Sequence, residues 1–525
     1  MPGVGRQGML GRGRRRHTPL LAVEFPGLPR VPEQAGLAGR HVIVRMEGGP
    51  AENIMVKMFY SKNSLERAMS TPTAAGAALT APRPPMVRGL PLIGSTLEMA
   101  SDPGRFFARC YKDYGSAYRV KVFGNELTVI AGAEAANFMG TREGKESLRS
   151  KEAWEPLYRE FGASKMLSAE DGELHKQLRA VLKRGFSKEA IKGRYQRMLD
   201  ITAESLEREW KPGRWVPVVE AMQFLVVDQL GITLTGNSPR EYVKDIRTTI
   251  LYILNVLVTQ QRPKFLMKMP KYKRAKARML ELGRQMVRDY HDRRGDTPEE
   301  MKTLIDDVME AHQRDPELIP DSDLAMLMAG PYVAGLDTVA NTTSAIVYTV
   351  LKHPEVLRRV QAEVDAVMSK PINEDEYMKS MPSLYGAIME TMRLYPIAVA
   401  QIRIANKDFE FGGCRINEGE MIYLGTAVPH YQNEFYPDAE KFDIDRYTKE
   451  RAEHMQVGAY SPYGRGHHTC LGKSLAEVLL MMSMAQLFYL FELELESPDY
   501  VLKTKTAPTP GPAMSFKVRV KRRRH

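Results

Sequence analysis

The chain has 525 residues, 43% of them hydrophobic and 26% charged, with a formal net charge of +11. That length exceeds one small core, and the balance suits a globular protein. The three cysteines, Cys110, Cys414 and Cys470, are too few and too scattered for a disulfide framework and point to a reducing compartment. The positive charge collects at the two ends, in "GRGRRRH" and "KVRVKRRRH", with no basic patch interleaved with aromatics between them, which argues against nucleic-acid binding.

Residues 1–80 are rich in Gly, Ala, Arg and Pro and show no sustained periodicity. They are expected to be a poorly structured basic leader, either a transit peptide or the product of a start codon set too far upstream. No charged-then-apolar secretory signal opens the chain, so a soluble, cytoplasmic protein is expected, with organellar targeting left open. The folded part, residues 81–525, begins with the stiff segment "PRPPMVRGLPLIGS". A helix is predicted over Pro103 to Tyr114. A hairpin follows, with strands Tyr118–Val122 and Leu127–Ala131 and a turn at Gly124-Asn125. From about 133 to 400 the pattern is helical. It includes a helix of about 30 residues from near Ser322 and another opened by Pro354. A β-rich segment spans Arg403 to Leu424. After an irregular acidic and aromatic stretch come a glycine-studded loop and an apolar helix containing "LLMMSMAQLFYLF" (Leu479 to Phe491). No apolar run is expected to cross a membrane. The fold class is mainly α with a small β part, as one large domain.

The loop "YSPYGRGHHTCLGKSLAE" carries the chemistry. Gly464, Gly466 and Gly472 permit close approaches that a Cβ would forbid. Cys470 stands just ahead of a helix, whose free N–H groups and positive end favour a thiolate, either nucleophile or metal ligand. His467 and His468 are near in sequence, but no oxyanion motif accompanies them. A zinc site needs four ligands, and Cys414 is remote while His430 is isolated. A single thiolate in a glycine cradle fits an iron already held by four other ligands, that is, a haem.

The run Tyr463-x-x-Gly466-x-His468-x-Cys470-x-Gly472 resembles the haem-binding loop of the cytochrome P-450 family, whose soluble bacterial members lack a membrane helix. Phe is usual at the place of Tyr463, and Arg or His at that of His468. The resemblance implies the cytochrome P-450 fold and heme b (iron protoporphyrin IX) with Cys470 as axial thiolate, the ligation for which this family is the type case. Further segments resemble the family in the same order along the chain. "AGLDTVANTTS" is similar to the oxygen-binding helix. The resemblance implies that Gly335 opens a groove beside the cofactor, that Thr338 hydrogen-bonds bound O2 and that Asp337 relays protons. Pro331 and Gly335 are both unfavourable inside a helix. The competing reading is that Thr338 only bonds back to the carbonyl four residues earlier. Glu390-x-x-Arg393 resembles the structural Glu/Arg pair, with Arg446 as the arginine that completes it. His175 and Arg179, four apart on one helical face, resemble the propionate-binding helix, and Arg403 and His468 would add donors.

The resemblance implies a haem-thiolate monooxygenase that inserts one oxygen atom of O2 into a lipophilic small molecule, by hydroxylation or epoxidation. No flavin or nicotinamide fingerprint is present. Electrons are therefore expected from a separate ferredoxin or flavodoxin with its reductase, docking on a basic face that includes Arg465, His467 and Lys473. The alternatives are a haem-thiolate isomerase or dehydratase that does not activate O2, and a non-enzymatic haem carrier or sensor. The basic segment Arg262 to Leu280 is read either as a solvated helix or as a peripheral membrane contact.

Overall fold

The computed structural model describes residues 80–122, 124–236, 238–258, 262–292 and 302–525. The chain divides into Met1–Met55 and Val56–His525, and the description concerns the second unit. The leader expected over 1–80 lies outside the described residues except for Thr80.

Five helices position the site: α1 (Gly172–Lys183), α2 (Val218–Thr235), α3 (Asp321–Lys352), α4 (Pro382–Leu394) and α5 (Lys473–Leu490). Proline stands at the first position of α4 and of the helix Pro354–Met368, where its missing N–H costs nothing. α2 ends on Gly236 in the left-handed conformation, the usual helix stop. The 32-residue α3 runs unbroken through Pro331 and packs against α2 and the helix Pro270–Asp292.

A five-stranded sheet lies apart from this helical core. Its strands are β1 (Ala117–Val122), β2 (Asn125–Ala131), β3 (Leu148–Arg149), β4 (Gln401–Ala405) and β5 (Met421–Gly425), in the order β1-β2-β5-β4-β3. β1 and β2 form the expected hairpin, with Val122 opposite Asn125. β2 and β5 pair in parallel, Thr128 opposite Ile422, across almost 300 residues of chain. A second sheet joins Trp215–Pro217, Lys517–Arg523 and Phe491–Glu494.

The expectation that no apolar run crosses a membrane meets one candidate among the described residues. α2 is long and apolar enough to cross a membrane by length and composition, with mean hydropathy 1.3, and 83% of it is buried in the protein. Its polar residues explain why it belongs to a core. Gln229 donates to Thr202 and Ser483, and Asp228 accepts from Ser205 at 2.6 Å and Ser238 at 2.5 Å and pairs with Arg240. A helix facing lipid would have none of these partners.

Candidate haem site

Tyr463 to Cys470 forms a tight arch. The Cys470 N–H donates to Tyr463 O at 2.9 Å, and Gly466 to His468 makes one 3-10 turn before α5 begins at Lys473. Gly466 has φ +75, and a Cβ there would collide with the Met139 carbonyl, so the arch seats on the backbone near the end of the helix Gly132–Phe138. Tyr463 is half-buried, with Lys473 Nζ 5.8 Å from its ring centroid. A Cβ on Gly472 would lie 3.5 Å from Phe186 and 4.0 Å from Cys470 Sγ, so Gly472 passes closely beneath the sulfur.

Cys470 is exposed, whereas each residue from Ser461 to Gly472 around it is at least partly buried. Burial nevertheless raises its thiol pKa, against the backbone N–H groups of Gly472 and Lys473 and the charge of Arg179, which pull it down. Surface that is accessible and also desolvated belongs to an interior space. The helix N-terminus alone therefore does not produce the thiolate expected from sequence, because desolvation outweighs it. A metal cation at the sulfur would reverse that balance.

The groups around this space are unsatisfied. Arg179 is half-buried and has no ion-pair partner among the described residues. Burial lowers its pKa, and Cys470 is the only charge that opposes the shift. Arg403 is buried and spends its donors on Ile402 O and Gln401 Oε1; burial brings its pKa down to about 10. His175 is 2% exposed, and its Nε2 has no partner. Burial first, then the neighbouring His468, His467 and Arg179, lower its pKa to about 4. Two arginines and a histidine without carboxylates suit a dianionic edge, and a lone accessible sulfur suits a fifth iron ligand, so the donor set fits a haem.

His468 also has protein partners. Its Nε2 lies 2.8 Å from Asp171 Oδ1 and 3.0 Å from Ser150 Oγ, while His467 Nε2 reaches the same Asp171 oxygen at 3.3 Å. Asp171 Oδ2 accepts from the Ser150 N–H at 2.7 Å. Burial works upward on the Asp171 carboxyl, but these hydrogen bonds outweigh it and hold the pKa well below the usual range. Sequence reasoning missed Asp171. It lies almost 300 positions from its partners, and its only local signal is its place just before α1. Of the expected basic docking face, His467 is tied to Asp171, Arg465 donates to the neutral Ser461 Oγ and Tyr460 O, and Lys473 is exposed.

On α3, Leu327, Gly330, Val333, Ala334, Gly335, Thr338 and Val339 are partly or fully exposed, while Pro331, Tyr332, Leu336, Asp337 and Ala340 are buried. Among the accessible positions, Leu327, Gly330, Ala334 and Thr338 recur at three- and four-residue spacing, as one face does. Thr338 stands on this stripe, and its hydroxyl donates to Ala334 O at 2.8 Å, the back-bonded geometry of the competing reading. The missing Cβ of Gly335 points at Leu230 of α2, so this glycine lets the two helices approach. Asp337 does not sit at the opening. It is buried, accepts from Gln223 Nε2 of α2 at 2.8 Å, and leaves Oδ2 without a partner.

Glu390, Arg393 and Arg446 are each 0% exposed and form one closed network. Arg393 holds Glu390 with two bonds of 2.7 and 2.8 Å; Arg446 adds one of 3.2 Å, Tyr447 one of 2.8 Å and the Asp443 N–H one of 3.0 Å. Arg446 also pairs with Glu453 and donates to Asp438 O. Burial works against the Arg393 charge, but Glu390 overcomes it and raises the pKa. Arg393 reaches His430 O, and His430 Nε2 accepts from the Ser461 N–H at 3.0 Å, so the network extends to the base of the cysteine loop.

Comparison with known proteins agrees with this geometry. The Cytochrome P450 family profile matches residues 84–515. Cyclooctat-9-en-7-ol 5-monooxygenase of Streptomyces melanosporofaciens is 28% identical over 318 residues, covering 59% of this chain and 68% of the relative. Putative cytochrome P450 120 of Synechocystis sp. (strain ATCC 27184 / PCC 6803 / Kazusa) is 26% identical over 443 residues, covering 84% and 97%. The structure of a retinoic acid-bound cyanobacterial cytochrome P450 superposes with TM-score 0.70 at 25% identity, covering 84% of this chain and 99% of that one.

Proposed function

This chain belongs to the cytochrome P450 family, and from that premise we propose that it is a haem-thiolate monooxygenase that transfers one oxygen atom to a lipophilic substrate, by hydroxylation or epoxidation, with electrons from a separate redox protein. The observation that carries the reading is the accessible but desolvated sulfur of Cys470 beside the unpaired Arg179. Haem bound there supplies the activation of O2, one oxygen atom going to the substrate and the other leaving as water.

The residues divide the remaining work. Cys470 holds the iron, and the N–H groups of Gly472 and Lys473 steady the charge on its sulfur. Arg179, Arg403, His175 and His468 hold the carboxylate edge of the cofactor. The stripe on α3 is mostly apolar and excludes water from the reacting face. Thr338 supplies the one hydroxyl of this stripe, now donated to Ala334 O, and would turn it toward oxygen bound at the haem. Asp337, buried against α2, is the acid that the family resemblance assigns to proton supply; Gln223 holds one of its oxygens still and Oδ2 is left without a partner. The substrate class rests on the relatives, one of which is named for a cyclic alkenol and another of which was solved with retinoic acid.

Beside the loop lies a cavity of about 540 Å3 lined by residues that include Tyr385, Met455, Val457, Tyr463, Lys473 and Glu477. Met455 and Val457 are strongly exposed. A ferredoxin or flavodoxin would dock there on a face that also carries Arg465 and Lys473, so turnover should fall as ionic strength rises. The deciding measurement is the absorption spectrum of the reduced, CO-treated protein. A far-shifted Soret band in the wild type and its absence in Cys470→Ser are expected, and the same band in both would overturn the assignment.

A further inference from the structure

We propose that Asp171, His467 and His468 form a second metal site, outside the iron ligation, for one divalent transition-metal ion of the zinc class. One ligand atom from each of the three residues lies within 4.8 Å of the others. Tetrahedral zinc with ligands at about 2.0–2.1 Å requires ligand atoms roughly 3.3 Å apart. His467 Nε2 already lies 3.3 Å from Asp171 Oδ1, and His468 Nε2, at 2.8 Å, must open by only a few tenths of an ångström.

The surroundings of the trio are preorganised. The His175 ring lies against both histidines, with centroids 4.4 Å from His468 and 5.4 Å from His467. It is 2% exposed, and its Nε2 has no partner. Three protein ligands leave a fourth position for water. The carboxylate is already oriented, because Asp171 Oδ2 is held by the Ser150 N–H at 2.7 Å. The side chains of His467 and Asp171 are 26% and 28% exposed, which gives the ion a path from solvent.

The site is coupled to the haem edge by tautomer. Both hydrogen bonds of His468 use Nε2. An ion on Nε2 places the ring proton on Nδ1, where it becomes a donor for a carboxylate on the other side of the ring. The dication also pins Asp171, at the start of α1, to the cysteine loop.

The test is calorimetric titration of zinc chloride into the holoenzyme, with the bound ion counted by elemental analysis. One equivalent bound in the micromolar range is expected. His467→Gln should weaken binding by at least about ten-fold and leave the CO spectrum unchanged. Asp171→Asn should weaken it similarly, and His467→Gln decides alone if that variant loses haem. No saturable zinc binding by the wild type, or wild-type affinity in His467→Gln, overturns the site.

Discussion

Two buried polar clusters in this molecule are built on opposite rules. Around Glu390 both carboxylate oxygens are taken, by Arg393, Arg446, Tyr447 and the Asp443 N–H, and both arginines spend further donors on carbonyls. Around Cys470, Arg179 has no anion among the described residues, His175 Nε2 has no partner, and the sulfur keeps accessible surface. Both bury charged or polar side chains, wholly around Glu390 and in part around Cys470, and completeness of pairing separates them. A closed cluster serves the fold, while an open one marks where a ligand must supply the missing charges and donors.

The largest effect that tests this contrast is Glu390→Gln. It leaves the buried Arg393 guanidinium without an anion, while Arg446 keeps Glu453, and should cost about 3–5 kcal/mol in urea unfolding of the apoprotein. If the variant unfolds like the wild type and only loses haem, the two clusters have been assigned the wrong way round.

Acid probes the closed side next. Burial, and then Arg393, lower the pKa of His430 to about 3, whereas the unfolded chain protonates near 6.5. Between those values the unfolded state binds more protons. This contribution to stability is therefore complete above pH 6.5 and falls between 6.5 and 3, by up to about 1.4 kcal/mol per pH unit. Replacing His430 with Asn should flatten that slope in chemical denaturation, and an unchanged slope would show that His430 does not govern it.

On the open side, Arg179→Ala should leave unfolding within about 0.5 kcal/mol of wild type. It should speed haem transfer to apomyoglobin by about ten-fold, as expected for losing one charge-assisted bond to a carboxylate. A variant that unfolds early instead places Arg179 in the structural class. The smallest effect concerns Thr338→Ala. Reductant consumption should stay near wild type while product per electron falls a few-fold and hydrogen peroxide rises; unchanged coupling would leave the hydroxyl with only its Ala334 bond.

What was legible in the sequence was what a single element displays. Cys470 ahead of α5, the length of α3 and the Glu390/Arg393 spacing are local patterns, and the helix over Pro103–Tyr114 is observed at those limits. Asp171, Ser150, Gln223 and Tyr447 were not legible, because each meets its partner across 57 to 318 residues. No periodicity encodes such a meeting; the parallel pairing of β2 with β5 escaped for the same reason. α2 was not singled out in the sequence, and an apolar helix looks the same whether protein or lipid surrounds it. His467 and Arg465 read as surface cations because charge predicts solvent only where no acceptor lies within reach.

Pro331 sits inside α3 without an N–H to give. The carbonyl it would have served belongs to Leu327, one turn back and at the accessible end of the stripe. A hydrocarbon guest lying along α3 would therefore meet one fixed polar landmark before it reached Thr338. A guest with a single hydroxyl could hang from that oxygen and would enter head-first or tail-first accordingly, so the choice of which carbon is presented would begin at a missing proton two turns away.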